Sequence, residues 1–428
     1  MQQPKTDLIA TVARASRGAL LATYRARQFE LPLRFWRQQV HFTTPASGRP
    51  EKALSALASV PRLLARFELT VDAVAAHLGV DPAPLHAVLA SDGSVPALLL
   101  DAEDAVAATA EAARQARAGA IACFRKADFG RTLRLFRPAG IGLDGCVDDL
   151  VEVLTAVAGQ AAPDDYPIEA VVWPKAESGQ EIAWLCEVLG VLERHIGLPD
   201  GHIRVQFLVE SARAVERLTE LTDAAGTRLT GIIWGIADYS ADVGLPEIRN
   251  DHPVCDWARC ALINAAGACG VPAIDSMTLN YPTPLHRGET LSANQREQNR
   301  AKVLAALAQV YADARHGMEL GMSGKWVGHP LQAWLVLAAY REALPAARLA
   351  QDLAEVEAYQ RAVMAGSGAT IVGEGMQAYM ADRASDRHVR SRLRRAAAWG
   401  LLPAAEAARL GLISEAERAE LEAPAAPP

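Results

Sequence analysis

The chain has 428 residues, 50% of them hydrophobic and 22% charged, which is globular composition with material for one large domain plus additions or for two ordinary ones. A net charge of −7 argues against nucleic acid as a partner, because phosphate binding needs a basic face. No run of about twenty uninterrupted apolar residues predicts a membrane span, and the opening MQQPKTDLIATVARASRG lacks the apolar core of a secretion signal.

Residues 1–36 read as an N-terminal helical segment. Short runs rich in Val, Ile and Leu follow at intervals. QVHFTT (39–44), ALLLDAED (97–104), LRLFR (133–137), IEAVVWPK (168–175), IRVQFLVE (203–210), LTGIIWGIAD (229–238), PAIDSMTL (272–279) and GKWVGH (324–329) predict eight strands. The runs are continuous rather than alternating, as strands buried on both faces require. Helical spacing recurs between them at 107–119, 180–195, 211–225 and 254–269. The fold class is therefore α/β, a (β/α)8 TIM barrel over residues 37–345. Two stretches exceed one crossover: 46–96, with a break at DPAP (81–84), predicts an inserted helical hairpin, and 281–323 predicts a loop plus a long helix. From 346 to 428 the sequence turns Ala-rich, a C-terminal helical extension or lid interrupted by AGSGATIVGEG (365–375). The six cysteines are scattered without a C-x-x-C pair and read as reduced thiols of a cytoplasmic protein.

Barrel active sites lie where the strands point their C-terminal ends. Here LLLDAEDAV ends in Asp101, Glu103 and Asp104, LRLFR in Arg137, VVWPKAES in Lys175 and Glu177, VQFLVES in Glu210, and IIWGIAD in Asp238. PAID places Asp275 in its strand, and GKWVGHP carries Lys325 and His329. So many charges on one rim predict a concave polar site. Glu210 and Asp238 end consecutive strands, so their side chains are expected to be neighbours. Two adjacent carboxylates repel unless one stays protonated or a cation joins them. Mg²⁺ (or Mn²⁺) suits an oxygen-only pair, and no His/Cys cluster offers a zinc site. Equally, Glu210 can belong to a structural network with Lys175 or Arg204. Arg137 can pair with Glu103 or Asp104 or bind substrate. His329 is a packed residue or a base. Lys175 is an ion-pair partner or a Schiff-base amine. Asp242 can cap the segment that follows it.

In chain order these motifs resemble the citrate lyase β-subunit / malyl-CoA lyase group of the HpcH/HpaI aldolase superfamily. LLLDAEDAV is similar to the family's D-L-E-D-A-V; Arg137 with Asp149-Leu150 to its R-x-N…D-L; WPKAES to P-K-x-E-S; FLVES to L-I-E-T. GIADYSADVG is similar to G-x-x-D-x-x-x-D-x-G, PAID to A-I-D, GMSGKWVGHPLQ to G-x-x-G-K-W-x-x-H-P-x-Q, and MADRASDRHVRSRL to M-I-D-R-P and its helix. LGLPDGHIRVQFLVES is also similar to malate synthases. The resemblance covers residues 37–395.

It implies that Glu210 and Asp238 bind Mg²⁺ and that Arg137 stabilises charge on the reacting oxygen. Glu103 and Asp104 would orient Arg137 or water, with Lys175, Asp275, Lys325 and His329 around the substrate. Asp382 matches an acid/base residue that relatives supply from a neighbouring subunit's C-terminal segment, which implies a homo-oligomer; Gln377 or Asp386 could take that place instead. The implied activity is a carbon–carbon lyase or synthase acting through an enolate on a 3-hydroxyacyl-CoA, or on an acyl-CoA plus a glyoxylate-like keto acid. There are departures. Ala139 replaces the family asparagine. Glu111 stands where a lysine helps hold the CoA phosphates, with Arg114 and Arg117 near the arginine position. These keep open a CoA-independent aldolase of a free keto acid such as pyruvate or oxaloacetate, and a degenerate, non-catalytic barrel.

Overall fold

A computed structural model describes residues 3–27, 31–159, 165–288, 290–373 and 375–423. Eight parallel strands close into a barrel in sequence order: β1 (Val40–Pro45), β2 (Ala97–Asp101), β3 (Leu133–Arg137), β4 (Ala170–Trp173), β5 (Arg204–Val209), β6 (Leu229–Trp234), β7 (Ala273–Asp275) and β8 (Gly324–Val327), with β8 pairing back onto β1. The strands are almost wholly buried, as their continuous apolar runs require. One polar layer crosses the lower barrel. His41 Nε2 meets Gln206 Oε1 at 3.2 Å, and Gln206 Nε2 donates to Gln38 Oε1 at 2.9 Å. Gly231 makes room, since a Cβ there would come 3.3 Å from the Gln206 amide.

Helices follow the strands, their starts fixed by side-chain caps: Thr109 for Ala110–Lys126, Ser178 for Gly179–Ile196 and His252 for Pro253–Cys269. The 46–96 stretch holds two 3₁₀ turns and the helices Val60–Arg66, Val71–Leu78 and Pro82–Leu89, more than a hairpin. DPAP starts a helix instead of breaking one: Asp81 accepts from the Ala83 N–H at 2.9 Å and Pro82 takes the first position. A loop and the long helix Ala293–Leu320 occupy the second expected insertion.

Past Pro345 the helices Ala346–Met364 and Arg383–Ala398 pack on each other around a second apolar cluster, including Leu349, Val356, Val389 and Leu393, joined by Leu33. The Trp399 indole donates to the Trp36 carbonyl at 2.8 Å. Trp36 precedes β1, so the extension docks at the strand-entry end of the barrel, opposite the mouth. The glycine-rich interruption is not a helical break alone. It folds into an antiparallel hairpin of β9 (Ala369–Val372) and β10 (Tyr379–Asp382). Among the described residues, no helix is long and apolar enough to cross a membrane, and all six cysteines are free thiols.

Candidate active site

Arg137 ends β3 and is 2% exposed. Asp101, the last residue of β2 and its register partner, grips it through Nε and Nη2 at 2.7 and 2.6 Å. The Asp101 carboxylate also accepts the Glu103 and Ala105 N–H groups, so its lone pairs are fully engaged. Arg137 therefore pairs chiefly with Asp101, and only loosely with Glu103 (3.3 Å) and Asp104 (3.5 Å). Its guanidinium lies 5.0 Å over the Trp326 ring. Among the described residues Nη1 is buried without a hydrogen-bond partner, as are Trp326 Nε1 and Thr43 Oγ1. Burial disfavours the charge, but Asp101 outweighs it and holds the guanidinium pKa above its usual value. Arg137 is thus a fixed cation with a spare donor.

Glu210 follows β5 and is 5% exposed. Asp238 is not at a strand end: β6 stops at Trp234, and Asp238 stands in the first turn of the helix Ile236–Asp242, half-exposed. Gly235 joins strand to helix because a Cβ there would sit 2.5 Å from Glu210 Cγ. Asp104 completes a trio with these two, each offering a carboxylate oxygen, the three oxygens lying within 4.8 Å of one another. Burial, then the adjoining Asp238 carboxylate, push the Glu210 carboxyl up to about 8. The expected neighbour relation of Glu210 and Asp238 is present, with Asp104 as a third member. An all-oxygen, electrostatically frustrated trio fits a hard dication.

Lys175 sits at φ 48°, a left-handed conformation uncommon for a side-chain-bearing residue. That turn brings its N–H within 3.3 Å of Glu210 Oε1 and sends Nζ to Glu103 (2.9 Å) and Asp104 (3.0 Å), with Asp238 at 3.8 Å. Burial favours the neutral amine, yet the hydrogen bond to Glu103 and the charge of Glu210 prevail and raise its pKa. A Schiff-base role needs a free amine, so this geometry opposes it. For Glu103, burial raises the pKa against the pull of Arg137. For Asp104, burial pushes upward but hydrogen bonds from Glu103 and Lys175 win and lower it. Glu210 therefore faces Lys175 in part, whereas Arg204 donates to the Thr227 carbonyl far below.

Three expected site residues lie elsewhere. Trp326 meets Arg137 inside the barrel, so its neighbour Lys325 must point outward. There Lys325 Nζ holds Asp275 at 3.0 Å, and Arg259 grips the same carboxylate at 2.8 Å. Burial would raise the Asp275 pKa, but Lys325 and Arg259 bring it down to about 2. His329 caps the helix Pro330–Ala343, its Nδ1 accepting from the Leu331 N–H, and burial lowers its pKa to about 4. Asp242 receives the Ala212 N–H at 2.7 Å, capping the helix after β5 rather than the segment that follows it. Arg117 is buried against Asp149 (3.0 Å) and Glu152 (2.8 Å); Arg114 is exposed and paired with Glu111. Asp149 also accepts the Ala139 N–H, so the position of the family asparagine is held through its backbone. Asp382 caps its own helix through the Ala384 and Ser385 N–H groups, and among the described residues makes no hydrogen bond to the mouth. Asp386 pairs with Arg390; the side chain of Gln377 lies outside the described residues. Sequence reasoning named Asp101 as one of the rim charges but gave Arg137 to Glu103 or Asp104, and it missed Thr43 and Trp326.

Residues 99–423 match the family model DUF6986, a domain of unknown function. The chain belongs to this family. The DUF6986 chain is 27% identical over 208 residues to an L-malyl-CoA/beta-methylmalyl-CoA lyase of Haloarcula marismortui, 48% of this chain and 55% of that protein. It thus spans about half the length of that relative. With the protein of the same description from Cereibacter sphaeroides ATCC 17029 it shares 24% identity over 309 residues, 68% of this chain and 85% of the relative. Among solved structures, a citrate lyase from Burkholderia xenovorans LB400 superposes with a TM-score of 0.57 at 19% identity, covering 89% of this chain and 97% of that one, a likeness of fold. These relatives place the DUF6986 chain in the citrate lyase β / HpcH/HpaI superfamily, as its motifs led us to expect.

Proposed function

We propose that this protein is a divalent-metal-dependent carbon–carbon lyase or synthase. The observation that carries the reading is the juxtaposition of the Asp104–Glu210–Asp238 trio with Arg137, whose Nη1 makes no hydrogen bond among the described residues and only loose ion pairs to Glu103 and Asp104. Glu210 and Asp238, with Asp104, would hold Mg²⁺ or Mn²⁺, which when bound supplies Lewis-acid polarisation of a keto or hydroxy-acid oxygen. Arg137, immobilised by Asp101, stabilises negative charge on the reacting oxygen without reorganising. Lys175, held by Glu103, neutralises part of the trio's charge. In the cleavage direction the substrate hydroxyl loses its proton and the C–C bond beside the carbonyl breaks. An aldehyde or keto acid leaves, and the enolate carbon takes a proton.

The proton transfer we assign to Asp382 of a second copy, the residue that the motif resemblance singles out. The hairpin that carries it supports this reading by exposing Ile371 (67%), Met376 (105%) and Met380 (63%), apolar side chains that a partner surface would cover. The substrate we favour is a 3-hydroxyacyl-CoA, in keeping with the names of the relatives. A second reading, a free keto acid, is favoured by the engagement of Arg117 and Arg114 with acidic neighbours.

The test is glyoxylate release from L-malyl-CoA in the presence of Mg²⁺, with Arg137→Lys and Glu210→Gln expected to slow it by about 10²-fold or more. Turnover of oxaloacetate but no thioester would select the second reading. No turnover of either substrate, or full activity in Glu210→Gln, would refute both.

A further inference from the structure

A cavity of about 380 Å³ lies at the strand-entry end of the barrel, where the C-terminal extension meets it. Its walls include Arg37 and Gln39 ahead of β1, Arg131 ahead of β3, Arg341, and the aromatic pair Tyr340 and Trp399. Two of its polar groups are unsatisfied. Gln39 is 6% exposed, and its Oε1 has no hydrogen-bond partner among the described residues. Arg37 Nη2 is buried without a hydrogen bond among the described residues, its carboxylate neighbour Glu420 standing 3.8 Å away. Burying such groups unpaired is costly, so they mark a place where something else binds. Arg341, half-buried, makes no ion pair among the described residues, and burial alone lowers its pKa. Arg131 reaches the Ala423 carbonyl from the other lip. The two acids on the wall are already engaged: Asp92 accepts from Ser94, and Glu422 accepts from Arg418.

Three guanidinium groups around an apolar floor call for an oxyanion, and the orphaned Gln39 oxygen calls for a donor beside it. We infer that this cavity binds a small hydroxylated oxyanion, one carboxylate or phosphate group with a hydroxyl next to it, at a site separate from the barrel mouth. Its ligand would touch both the barrel entry and Trp399 of the extension. Occupancy therefore ties the extension to the barrel and stabilises the chain that carries Asp382.

The experiment is calorimetric titration of the full chain in EDTA with glycerol 3-phosphate and, separately, glycerate, alongside melting curves. EDTA removes any dication from the mouth and the cavity variants distinguish the two sites, so failure here leaves the lyase reading standing. We expect a dissociation constant of about 1 mM or tighter for at least one probe, with a raised melting temperature. Arg341→Met and Arg131→Met should each weaken binding about tenfold or more, while Arg249→Met, on a distant surface, should not. Binding of only the phosphate or only the carboxylate probe would name the group recognised. No heat and no melting shift at about 10 mM of either probe, or unchanged affinity in both cavity variants, would overturn the inference.

Discussion

Substituting Gly235 by alanine isolates the geometry of the carboxylate trio from its charge. Gly235 has φ −117°, a conformation open to any residue, so alanine adds only volume. The new Cβ would lie 2.5 Å from Glu210 Cγ and 2.9 Å from both Cδ and Oε2, where ordinary contacts need about 3.5 Å or more. Glu210 must retreat by roughly 1 Å, and the barrel around it is packed, so overpacking should cost about 1–3 kcal/mol. A carboxylate displaced that far no longer converges with Asp104 and Asp238, and dication affinity should fall at least about tenfold. Mg²⁺ calorimetry and Mn²⁺ paramagnetic resonance on the intact chain read the affinity. Gly142→Ala, where a Cβ meets nothing within 4 Å, is the control. A Gly235→Ala protein that folds and binds within twofold of the parent would refute the reasoning.

The remaining predictions concern charge and assembly. Glu210 is protonated in the metal-free fold up to about pH 8, well above its ordinary value of 4.5. The stability this lends is complete below about pH 4.5 and disappears as pH rises through about 8, a change on the order of a few kcal/mol. Melting temperature in EDTA should therefore decline over that window, and Glu210→Gln should flatten the decline. Dication affinity should climb with pH to about 8 and then level, because binding expels the proton. Lys175→Met removes the internal cation that neutralises the trio, and Mg²⁺ affinity should rise about tenfold; a drop would mean that Lys175 chiefly orders the carboxylates. Asp382→Ala should lose about 1 kcal/mol of helix capping as well as turnover. If Asp382 acts across subunits, mixing and reassembling inactive Asp382→Ala and Arg137→Lys chains restores about a quarter of the activity. No recovery from an assembly shown to be mixed would place the base within one chain.

The barrel was legible because its strands are buried on both faces and announce themselves as unbroken apolar runs. Position along a run was less so. LTGIIWGIAD reads as one strand, but Gly235 releases the chain into a helix, and Asp238 reaches the trio from that first turn. Asp101 and Asp104 look alike in sequence, and only the register of β2 on β3 shows that Asp101 takes the arginine and leaves Asp104 for the trio. Lys325 of β8 and Asp275 of β7 carry the right chemistry, but strand alternation turns them outward to pair with each other, with Arg259 on the same carboxylate. The β9–β10 hairpin hid in a glycine-rich stretch where Ile371, Met376 and Met380 are exposed and only Val372 and Ala381 are buried, too few to mark a core-facing pattern.

The central claim is that Asp104, Glu210 and Asp238 share a hard dication beside Arg137. Anomalous diffraction from crystals soaked in Mn²⁺ tests it most directly. The account predicts a peak about 2 Å from carboxylate oxygens of Glu210 and Asp238, with Lys175 Nζ withdrawn from the space between them. A map with Lys175 still seated among the carboxylates, and no peak there at saturating Mn²⁺, would contradict it.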